Sequence, residues 1–416
     1  MSRIKRKIED LLEKVNDFSD KRIGVILPDG VKLGSPAEIW VQVKDWKVLM
    51  DILKDPELGF AENYMYGKLD VKGDLETLLV AGNRYVRFIE SSKKNYNLFV
   101  KITSLLTCFL DSLVKAFSRI DVEKEKRDVQ YHYDLGNDFY RLWLDESLTY
   151  SCAFFEDPSW SIEQAQSEKR RIIYEKLLLK EGDTLLDIGC GWGSIVIESV
   201  KNYNLRAIGI TLSEEQYSYV KKRIVDEGLE GKADVYLMHY ADLPKLGLNF
   251  DKIVSVGMFE HVGKGNIRKF FEVVSSVLKE GGLFLLHTIG KEFEGQTSRF
   301  MTKYIFPGGY LPYLGEIIAN TEGLDLCLLD IDDWRIHYYF TLKRWRERFL
   351  EHLDDVKKEY GEMFTRMWHF YLTTSMSAFR AGNTHVFQIL FSKGVKNDYP
   401  VIRRKLIPLA PPGHLQ

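Results

Sequence analysis

The sequence has few cysteines, and they are not spaced for a shared site. Its 416 residues contain four, Cys108, Cys152, Cys190 and Cys327, and no two of them form a C-x-x-C pair. This spacing argues against a zinc centre and against a fold stapled by disulfides. We therefore expect no metal site, and the cysteine usage is typical of a protein of a reducing cytoplasm.

The sequence also lacks an excess of charge of either sign. Its 58 Lys and Arg residues against 60 Asp and Glu residues give a net charge of −2. A protein that coats nucleic acid needs a clear cationic excess, so nucleic acid is not an expected partner. Near-neutrality still allows a local basic face that touches anionic lipid.

A long uninterrupted apolar run is missing as well. The most apolar stretch, residues 98–117, is about as long as a membrane span but contains Lys101, Asp111 and Lys115. Three charges at this spacing argue against a spanning helix. The N-terminus shows no apolar segment of the kind found in a secretory signal. We therefore expect a soluble protein.

Aromatic side chains, in contrast, are abundant. The chain has 8 Trp, 22 Tyr and 24 Phe, within a hydrophobic fraction of 45% and a charged fraction of 28%. This balance predicts a globular protein, and at about 150 residues per domain the length predicts two or three domains. The aromatic residues either form a bulky core or provide large apolar and π surfaces for a ligand.

The pattern along the chain predicts two domains, residues 1–120 and residues 121–416. The first has the mixed short patterns of a small α+β domain followed by helices, and a charged connector follows at 121–128. From residue 182, apolar runs at 184–188, 205–210, 233–238, 252–256 and 283–286 alternate with helical segments. This alternation predicts a mostly parallel sheet covered on both faces, with ligands at the carboxyl ends of its strands. From about Trp334 onward, the pattern predicts helices.

The strongest local signal is a glycine-rich loop directly after the first of these strands. Asp187 precedes Gly189, Gly191 and Gly193 in a G-x-G-x-G pattern that opens a helix. A dinucleotide fingerprint would be G-x-G-x-x-G with an acidic residue at the end of the next strand, and neither feature is present. The loop instead resembles that of class I S-adenosylmethionine (SAM) methyltransferases, which have a Rossmann-like fold. A purely structural turn is the alternative.

Three neutral side chains after the second strand, Thr211, Ser213 and Gln216, can offer hydrogen bonds where the acidic residue is missing. Asp242 follows the next strand and is placed to approach the adenine edge of SAM. The alternative for Asp242 is a loop carboxylate in water.

Five further motifs stand in a fixed order around this loop. They are YHYDLGNDFY at 131–140, LTYSC at 148–152, GITLSEEQ at 209–216, MFEHVG at 258–263 and HTIG at 287–290. Together they closely resemble the cyclopropane-fatty-acyl-phospholipid synthases, from about residue 127 to about residue 395. Residues 1–120 resemble, more weakly, the N-terminal domain of the longer bacterial members. The resemblance implies a class I SAM-methyltransferase sheet with helical insertions, plus that smaller domain.

The resemblance also implies a demanding reaction. These enzymes add the SAM methyl carbon across a cis double bond of a phospholipid acyl chain. An unactivated alkene must meet the methyl group closely and in line, and the attack creates a carbocation that free water would trap. A dry pocket with aromatic faces suits such a cation. A base must then remove a methyl proton to close the ring.

The family resemblance implies that this base is a bound bicarbonate ion. The matching positions are Cys152, Glu260, His287, the backbone of Ile289, and Tyr338. His, Tyr and backbone N–H groups can donate to an anion, whereas Glu260 has to share a proton with it. Cys152 is interpreted as a wall residue, not as a nucleophile, because alkene methylation needs no covalent intermediate. Taken singly, Cys152, His287 and Tyr338 could each be ordinary core residues.

The resemblance places SAM against a second set of positions. They are Tyr133, Tyr150, Ser151, Asp187, Gly189, Gly191, Thr211, Leu212, Gln216, Ala241 and Asp242.

The substrate implied by the resemblance lies in a membrane, so a peripheral contact with the inner face of the cell membrane is expected. Residues 98–117 have the spacing of an interfacial helix, although a helix packed on the catalytic domain explains them equally well. The basic cluster 403–405 is a second candidate. Trp143, Phe154, Phe155 and residues 300–310 are candidates for an acyl tunnel. The resemblance also implies a homodimer.

Two rival functions use the same residues. A methyltransferase could end the reaction with a methyl-branched or methylene chain instead of a ring, and a degenerate member could bind lipid without catalysis. The presence of Glu260, His287 and Tyr338 favours ring closure, and the intact glycine loop argues against a non-catalytic protein.

Overall fold

A computed structural model describes residues 2–91, 135–295 and 297–400. The described residues fall into two compact units. The first contains residues 2–91, 297–307 and 338–385, and the second contains residues 135–295, 308–337 and 386–400. The sequence-based boundary at residue 120 and the expectations for Tyr133, residues 98–117 and residues 403–405 concern segments outside the described residues.

The first unit combines a small sheet with helices. Its four strands are ordered β2-β1-β3-β4, with β1 and β3 parallel and the other pairs antiparallel. The strands are β1 (Ile23–Ile26), β2 (Lys32–Leu33), β3 (Ile39–Val43) and β4 (Leu69–Lys72). The helices are α1 (Ser2–Asn16), α2 (Trp46–Lys54), α3 (Pro56–Met65), α4 (Leu75–Ser91), α11 (Arg335–Glu351), whose first three residues belong to the second unit, and α12 (Leu353–Ala381).

Helix α12 is held to the small sheet by one arginine. The Arg366 guanidinium donates to the Leu69 carbonyl at 3.0 Å and to the Asp70 carboxylate at 2.7 Å. The same guanidinium lies 4.3 Å from the centre of the Tyr64 ring. These contacts join residues about 300 positions apart in sequence, so this unit is built from two distant parts of the chain.

The second unit is built on a seven-stranded, mostly parallel sheet, as the alternating pattern predicted. The strand order is β10-β11-β9-β8-β5-β6-β7, with β9, β8, β5, β6 and β7 parallel to their neighbours in that run and β10 antiparallel to β11. The strands are β5 (Thr184–Ile188), β6 (Arg206–Thr211), β7 (Ala233–Leu237), β8 (Phe250–Val256), β9 (Leu278–Gly290), β10 (Leu326–Asp333) and β11 (His385–Lys393).

Helices pack against this sheet because most side chains of its central strands are apolar and buried. In β5, four of the five side chains are buried, which is the pattern of a strand inside a parallel sheet. The helices are α5 (Asn137–Arg141), α6 (Ile162–Lys176), α7 (Ser194–Tyr203), α8 (Glu214–Asp226), α9 (Ile267–Val277) and α10 (Leu314–Ala319). Phe270, Phe271, Phe284 and Phe391 pack between α9 and the sheet at ring distances of 5.5–6.4 Å.

One sequence-based expectation was wrong. The chain after Trp334 was predicted to be helical throughout, but His385–Lys393 forms β11, a strand inside the large sheet. All of its side chains except the first and last are buried. A short apolar run buried on both faces has no two-residue alternation, so its sequence does not separate it from a buried helix.

No helix within residues 2–91, 135–295 and 297–400 is long and apolar enough to cross a membrane.

Candidate active site

The glycine-rich loop is folded tightly against the ends of β6 and β8. The amides of Gly189 and Cys190 both donate to the Ile210 carbonyl at 3.0 Å. Gly189 has a φ of +84°, and a Cβ at this position would lie 2.5 Å from the Cβ of Met258. Only glycine satisfies both conditions, so the loop can lie close to the strand ends.

A cavity opens at the carboxyl ends of β5, β6 and β8, where a parallel sheet is expected to bind its ligand. Eight of the sequence-predicted SAM positions line it. They are Tyr150, Ser151, Asp187, Gly189, Gly191, Thr211, Leu212 and Gln216. The glycine loop, the second strand end and the Tyr150–Ser151 motif therefore meet around one space.

The segment carrying Tyr150 and Ser151 is fixed from two sides. Asp145 accepts a hydrogen bond from the Thr149 amide at 2.8 Å, which shapes the turn before the motif. From behind, Gln166 donates to the Ser151 carbonyl at 2.9 Å, and Lys169 Nζ donates to Ser151 Oγ at 2.8 Å. Both side chains come from α6, which begins with a capping box formed by Ser161 and Gln164.

Two oppositely charged side chains are buried in the cavity wall. Asp187 and Lys169 are 2% and 1% exposed, so each has lost nearly all of its contact with water. Burial raises the pKa of Asp187 to about 7 and lowers the pKa of Lys169 to about 7. Asp187 Oδ1 has no hydrogen-bond partner in the described part of the chain. The wall therefore offers an unsatisfied acceptor to a cationic group.

The second strand end supplies neutral polar groups. The Thr211 hydroxyl donates to Gln216 Oε1 at 2.8 Å, and the Ser213 side chain caps α8 by accepting from the Gln216 amide. Thr211 and Gln216 thus fix each other's side chains, and Ser213 supports them by capping the helix.

Asp242 and Ala241 lie differently from the other predicted SAM positions. Neither is among the described residues that line the cavity, and Asp242 Oδ1 lies 2.5 Å from Lys245 Nζ in an ion pair. The wall here is formed instead by His239 and Tyr240. His239 Nδ1 accepts from the Ala241 amide at 3.1 Å and so caps the short helix Tyr240–Leu246.

Among the predicted catalytic residues, Glu260 and Ile289 are in direct contact. The Ile289 amide donates to Glu260 Oε1 at 2.6 Å, so this N–H binds the carboxylate, whereas the sequence predicted that it would bind an anion. Glu260 Oε2 is buried and has no hydrogen-bond partner within residues 2–91, 135–295 and 297–400. Burial raises the pKa of Glu260 to about 7, against the opposing effect of the Ile289 amide.

His287 presents the complementary group. The Gln388 side-chain nitrogen lies 3.3 Å from His287 Nδ1; with the amide in this orientation Nδ1 accepts, and the neutral ring then carries its hydrogen on Nε2. Nε2 is buried and has no partner among the described residues. Burial, together with the positive charges of Lys169 and Lys176, holds the pKa of His287 well below its usual value. His287 is therefore a neutral donor.

The base residues and the cavity share backbone. The Gly257 amide donates to the His287 carbonyl at 2.9 Å, and Gly257, Met258 and His261 line the cavity on either side of Glu260 in sequence. The strand ends of β8 and β9 thus connect Glu260 and His287 to the cavity wall.

Cys152 and Tyr338 occupy different units. Cys152 follows Ser151 and is buried, with its Sγ 3.2 Å from the Ala153 carbonyl. Tyr338 lies in α11 of the first unit, where its ring packs against Phe379 and Trp345. The role of Tyr338 in catalysis stays a prediction from the resemblance.

The candidates for the acyl tunnel have varied surroundings. Trp143 is fully buried and packs edge-on against the ring of Tyr150 at 5.2 Å, so it supports the cavity wall from behind. Phe154 stacks on His337 at 4.1 Å. In the first unit, Phe300 packs against Phe370 at 5.1 Å.

Sequence reasoning missed the polar residues that support the site. Gln166 and Lys169 on α6 and Gln388 on β11 each contact a predicted site residue. Gln166 and Lys169 are spaced by three, so both lie on one helix face, and this face is buried. The sequence contained one sign of these supports, a glutamine and a lysine on the otherwise apolar face of α6. No group of three or more potential metal ligands occurs in the described ranges.

The comparisons with known proteins point to one family. A family profile described as mycolic acid cyclopropane synthetase matches residues 120–389. The cyclopropane-fatty-acyl-phospholipid synthase of Escherichia coli is 36% identical over 90% of this chain and 93% of its own length. A probable fatty acid methyltransferase of Pseudomonas putida is 39% identical over 66% of this chain and 71% of its own.

A solved structure is similar as well. A mycolic acid cyclopropane synthase complexed with SAH and CTAB matches with a TM-score of 0.60 and 31% identity. It covers 64% of this chain and 98% of its own.

Proposed function

The chain belongs to the mycolic acid cyclopropane synthetase family, and we propose that it transfers the methyl carbon of SAM to the cis double bond of an unsaturated phospholipid acyl chain and closes a cyclopropane ring. The observation that carries the proposal is that the strand ends which line the cavity also carry two buried groups, Glu260 Oε2 and His287 Nε2, that have no hydrogen-bond partner among the described residues. The E. coli relative, similar over nine-tenths of the chain, supports the phospholipid substrate.

The cavity fits SAM in its chemistry. Asp187 Oδ1, buried and unsatisfied among the described residues, can accept from the ammonium group of the cofactor, and Gly191 has no Cβ to narrow the loop. Thr211 and Gln216 offer neutral polar groups for the nucleoside, and His239 and Tyr240 offer ring surfaces. When bound, SAM supplies an electrophilic methyl group on a positively charged sulfur.

The residues around Glu260 fit a small anion that carries a proton. His287 Nε2–H is a donor, and Glu260 Oε2 needs a donor when it is ionised, so bicarbonate, with both an anionic oxygen and a hydroxyl, matches the pair. The positive charges of Lys169 and Lys176 act on His287 and favour an anion there. Bicarbonate bound here would supply a base for removal of the methyl proton.

The protein's own residues then perform three tasks. Glu260, with a pKa of about 7, can take up or release a proton at neutral pH, and the Ile289 amide holds its other oxygen. His287 stays neutral and donates. Burial of both groups excludes water, which would otherwise trap a carbocation on the substrate.

The proposal extends to the surroundings of the enzyme. We propose a cytoplasmic protein that touches the inner face of the membrane peripherally and acts as a homodimer. The phospholipid named for the E. coli relative supports the membrane contact, and the absence of a disulfide at Cys190 and Cys327 among the described residues suits a reducing cytoplasm. The homodimer rests on the family resemblance alone.

The test is to incubate the protein with SAM and vesicles of an unsaturated phospholipid and to analyse the acyl chains. A gain of one CH2 unit with loss of the alkene supports the proposal, and NMR of the product must show the ring protons. A methyl-branched or methylene product would instead support the chemistry suggested by the P. putida fatty acid methyltransferase. Lipid binding without a mass change would identify a non-catalytic protein. Omission of bicarbonate should slow the reaction, and its addition should restore the rate.

A further inference from the structure

Helix α6 holds the cavity wall with two side chains, one neutral and one basic. Gln166 donates to the carbonyls of Thr149 and Ser151 at 3.2 and 2.9 Å, whereas Lys169 donates to the Ser151 hydroxyl at 2.8 Å. Both side chains are fully buried. The glutamine contacts are enough to fix the backbone of this segment, so they do not explain why the next turn of the helix carries a charge.

The burial of the Lys169 ammonium group is costly. A charge without water and without a counter-ion is strongly unfavourable in a protein interior. Within the described ranges, Lys169 forms no ion pair; its one hydrogen bond is to Ser151 Oγ. Asp187 lines the same cavity but has its own unsatisfied oxygen, so the two charges do not neutralise each other by direct contact. The carboxylates of Asp145 and Asp187 act on Lys169 from a distance, but neither accepts a hydrogen bond from Nζ among the described residues, so the ammonium group has no anion in direct contact there.

The cofactor under the proposed function carries such a group. The methionine end of SAM is a zwitterion with one ammonium and one carboxylate group. Among the described residues, the wall of the cavity has one buried carboxylate, Asp187, and one buried ammonium group, Lys169. Since Asp187 suits the ammonium group of the ligand, Lys169 is left for the carboxylate.

The Ser151 hydroxyl can connect Lys169 to the carboxylate of the ligand. Its oxygen accepts from Lys169, so its own hydrogen remains available for an acceptor in the cavity. A lysine that donates to a hydroxyl oxygen polarises the O–H bond and strengthens the bond that this hydroxyl donates onward.

We propose that Lys169 is a positioning residue that recognises the α-carboxylate of the methionine moiety of the cofactor through the hydroxyl of Ser151. This inference rests on the proposed function, because it assumes SAM as the cofactor. It goes beyond it by assigning the amino-acid end of the ligand to a charged residue on α6, outside the glycine-rich loop.

The experiment compares two ligands that differ only in the carboxylate. They are SAH and its decarboxylated analogue S-adenosyl-3-thiopropylamine, with 5′-methylthioadenosine as a third ligand that lacks the whole amino-acid end. Binding to the 416-residue chain is measured by calorimetry for the wild type, Lys169→Met and the matched control Gln166→Leu. The control disturbs the same segment from the same helix without removing a charge.

We expect Lys169→Met to weaken SAH binding by about 10-fold or more, which is the usual effect of a lost charge-assisted hydrogen bond. Binding of the decarboxylated analogue and of 5′-methylthioadenosine should change by less than about 3-fold. Gln166→Leu should weaken the binding of SAH and of its decarboxylated analogue to a similar degree. An equal loss for SAH and its decarboxylated analogue in Lys169→Met would overturn the proposal and leave Lys169 a structural residue.

Proton uptake gives an independent readout. Burial lowers the pKa of Lys169 to about 7, and a bound carboxylate raises it again. At pH 8, SAH binding should therefore take up a proton in the wild type, measured by calorimetry in buffers of different ionisation enthalpy. Decarboxylated SAH, and SAH bound to Lys169→Met, should show no such uptake; equal uptake by both ligands contradicts the proposal.

Two outcomes separate this inference from the proposed function. If the wild type binds neither SAH nor SAM, the proposed function fails. If the wild type binds SAH but the variants show no selectivity, only the role of Lys169 fails. Should Lys169→Met not fold, Ser151→Ala removes the connecting hydroxyl and must show the same selective loss for SAH.

Discussion

The backbone amide of Ile289 donates to Oε1 of Glu260 at 2.6 Å, and this contact leaves Oε2 as the oxygen without a hydrogen-bond partner in the described part of the chain. The carboxylate is therefore fixed at one end and chemically available at the other. Most buried polar atoms in folded proteins have a hydrogen-bond partner, so this oxygen is a candidate for contact with a ligand. The contact also permits a sharp mutational test, because an amide side chain can accept from Ile289 but cannot carry a proton away.

We expect Glu260→Gln to lower turnover by about 100-fold or more, the usual size of a lost general acid–base group. The variant keeps an oxygen that accepts from the Ile289 amide, so folding and SAH binding should stay close to wild type. Steady-state rates of acyl-chain methylation measure the effect. Glu260→Ala serves as the comparison, since it loses both functions. Wild-type turnover in Glu260→Gln together with loss in Glu260→Ala would show that Glu260 is only structural.

Glu260 also predicts a pH dependence of stability. Its pKa is raised from 4.5 to about 7 by burial, so between these values the folded protein holds a proton that the unfolded chain has released. Stability therefore falls as pH rises through this window, by up to about 3 kcal/mol. Glu260→Gln has no carboxyl to ionise and therefore lacks this loss of stability. In urea unfolding, the stability of the variant relative to wild type should be lowest near pH 4.5 and highest above pH 7. A relative stability that does not change with pH contradicts a raised pKa.

Gly193 is expected to be less tolerant of alanine than Gly228. Both have left-handed backbones, with φ of +80° and +64°, but a Cβ at Gly193 would lie 2.9 Å from both methyl groups of Val220, whereas nothing lies within 4 Å at Gly228. Gly228→Ala should cost about 1 kcal/mol, and Gly193→Ala should cost about 1–3 kcal/mol more because of crowding. Denaturant unfolding measures both. Val220→Ala should restore part of the loss in Gly193→Ala; equal costs for the two glycines would exclude crowding.

The short helix after β7 allows a paired test of the adenine side of the cavity. Asp242 is paired with Lys245, so we expect Asp242→Asn to change SAH affinity by less than about 3-fold. His239 lines the cavity and caps this helix, so His239→Ala should weaken SAH binding and cost about 1 kcal/mol of stability. His239→Asn retains a capping acceptor and should recover the stability. A 10-fold loss in Asp242→Asn would instead support direct recognition of adenine by Asp242.

Lys176 connects the end of α6 to β10. Its buried Nζ lies 3.5 Å from Asp330 and also pairs with Asp332, whose side chain is 23% exposed. Lys176→Met removes a buried cation that both carboxylates share, and we expect a loss of about 3 kcal/mol in unfolding experiments. Lys201→Met breaks the exposed pair with Glu227 and should cost about 0.5 kcal/mol or less. Similar losses for the two variants would mean that burial does not strengthen the Lys176 pairs.

The sequence predicted the large sheet well because its central strands are apolar runs that end in glycine or polar residues. The helical segments predicted between these strands were also found, among them α9 (Ile267–Val277). The strand β11 was missed, since a strand buried on both faces lacks alternation. Residues 297–307 and 338–385 belong to the same unit as the N-terminal residues, an arrangement that no local pattern reveals.

The sequence indicated those parts of the candidate site that belong to short motifs. The glycine loop and Tyr150–Ser151 do line one cavity, which short motifs with typical spacing had indicated. The supporting residues were not predictable in this way. Gln388 reaches His287 from a strand 101 positions away in sequence, and the partner of Glu260 Oε1 is a backbone amide with no sequence signature. Such contacts depend on the register of strands, which local patterns do not report.

The position of α6 has a consequence for the smallest fragment that can bind the cofactor. The alternation of strands and helices starts near residue 182, and a fragment cut there would keep the glycine loop and every strand of the large sheet. It would lose Tyr150 and Ser151, which line the cavity, together with their supports Gln166 and Lys169 and the turn shaped by Asp145. A ligand-binding fragment of this chain must therefore begin before Asp145, about 40 residues upstream of the first strand of the sheet.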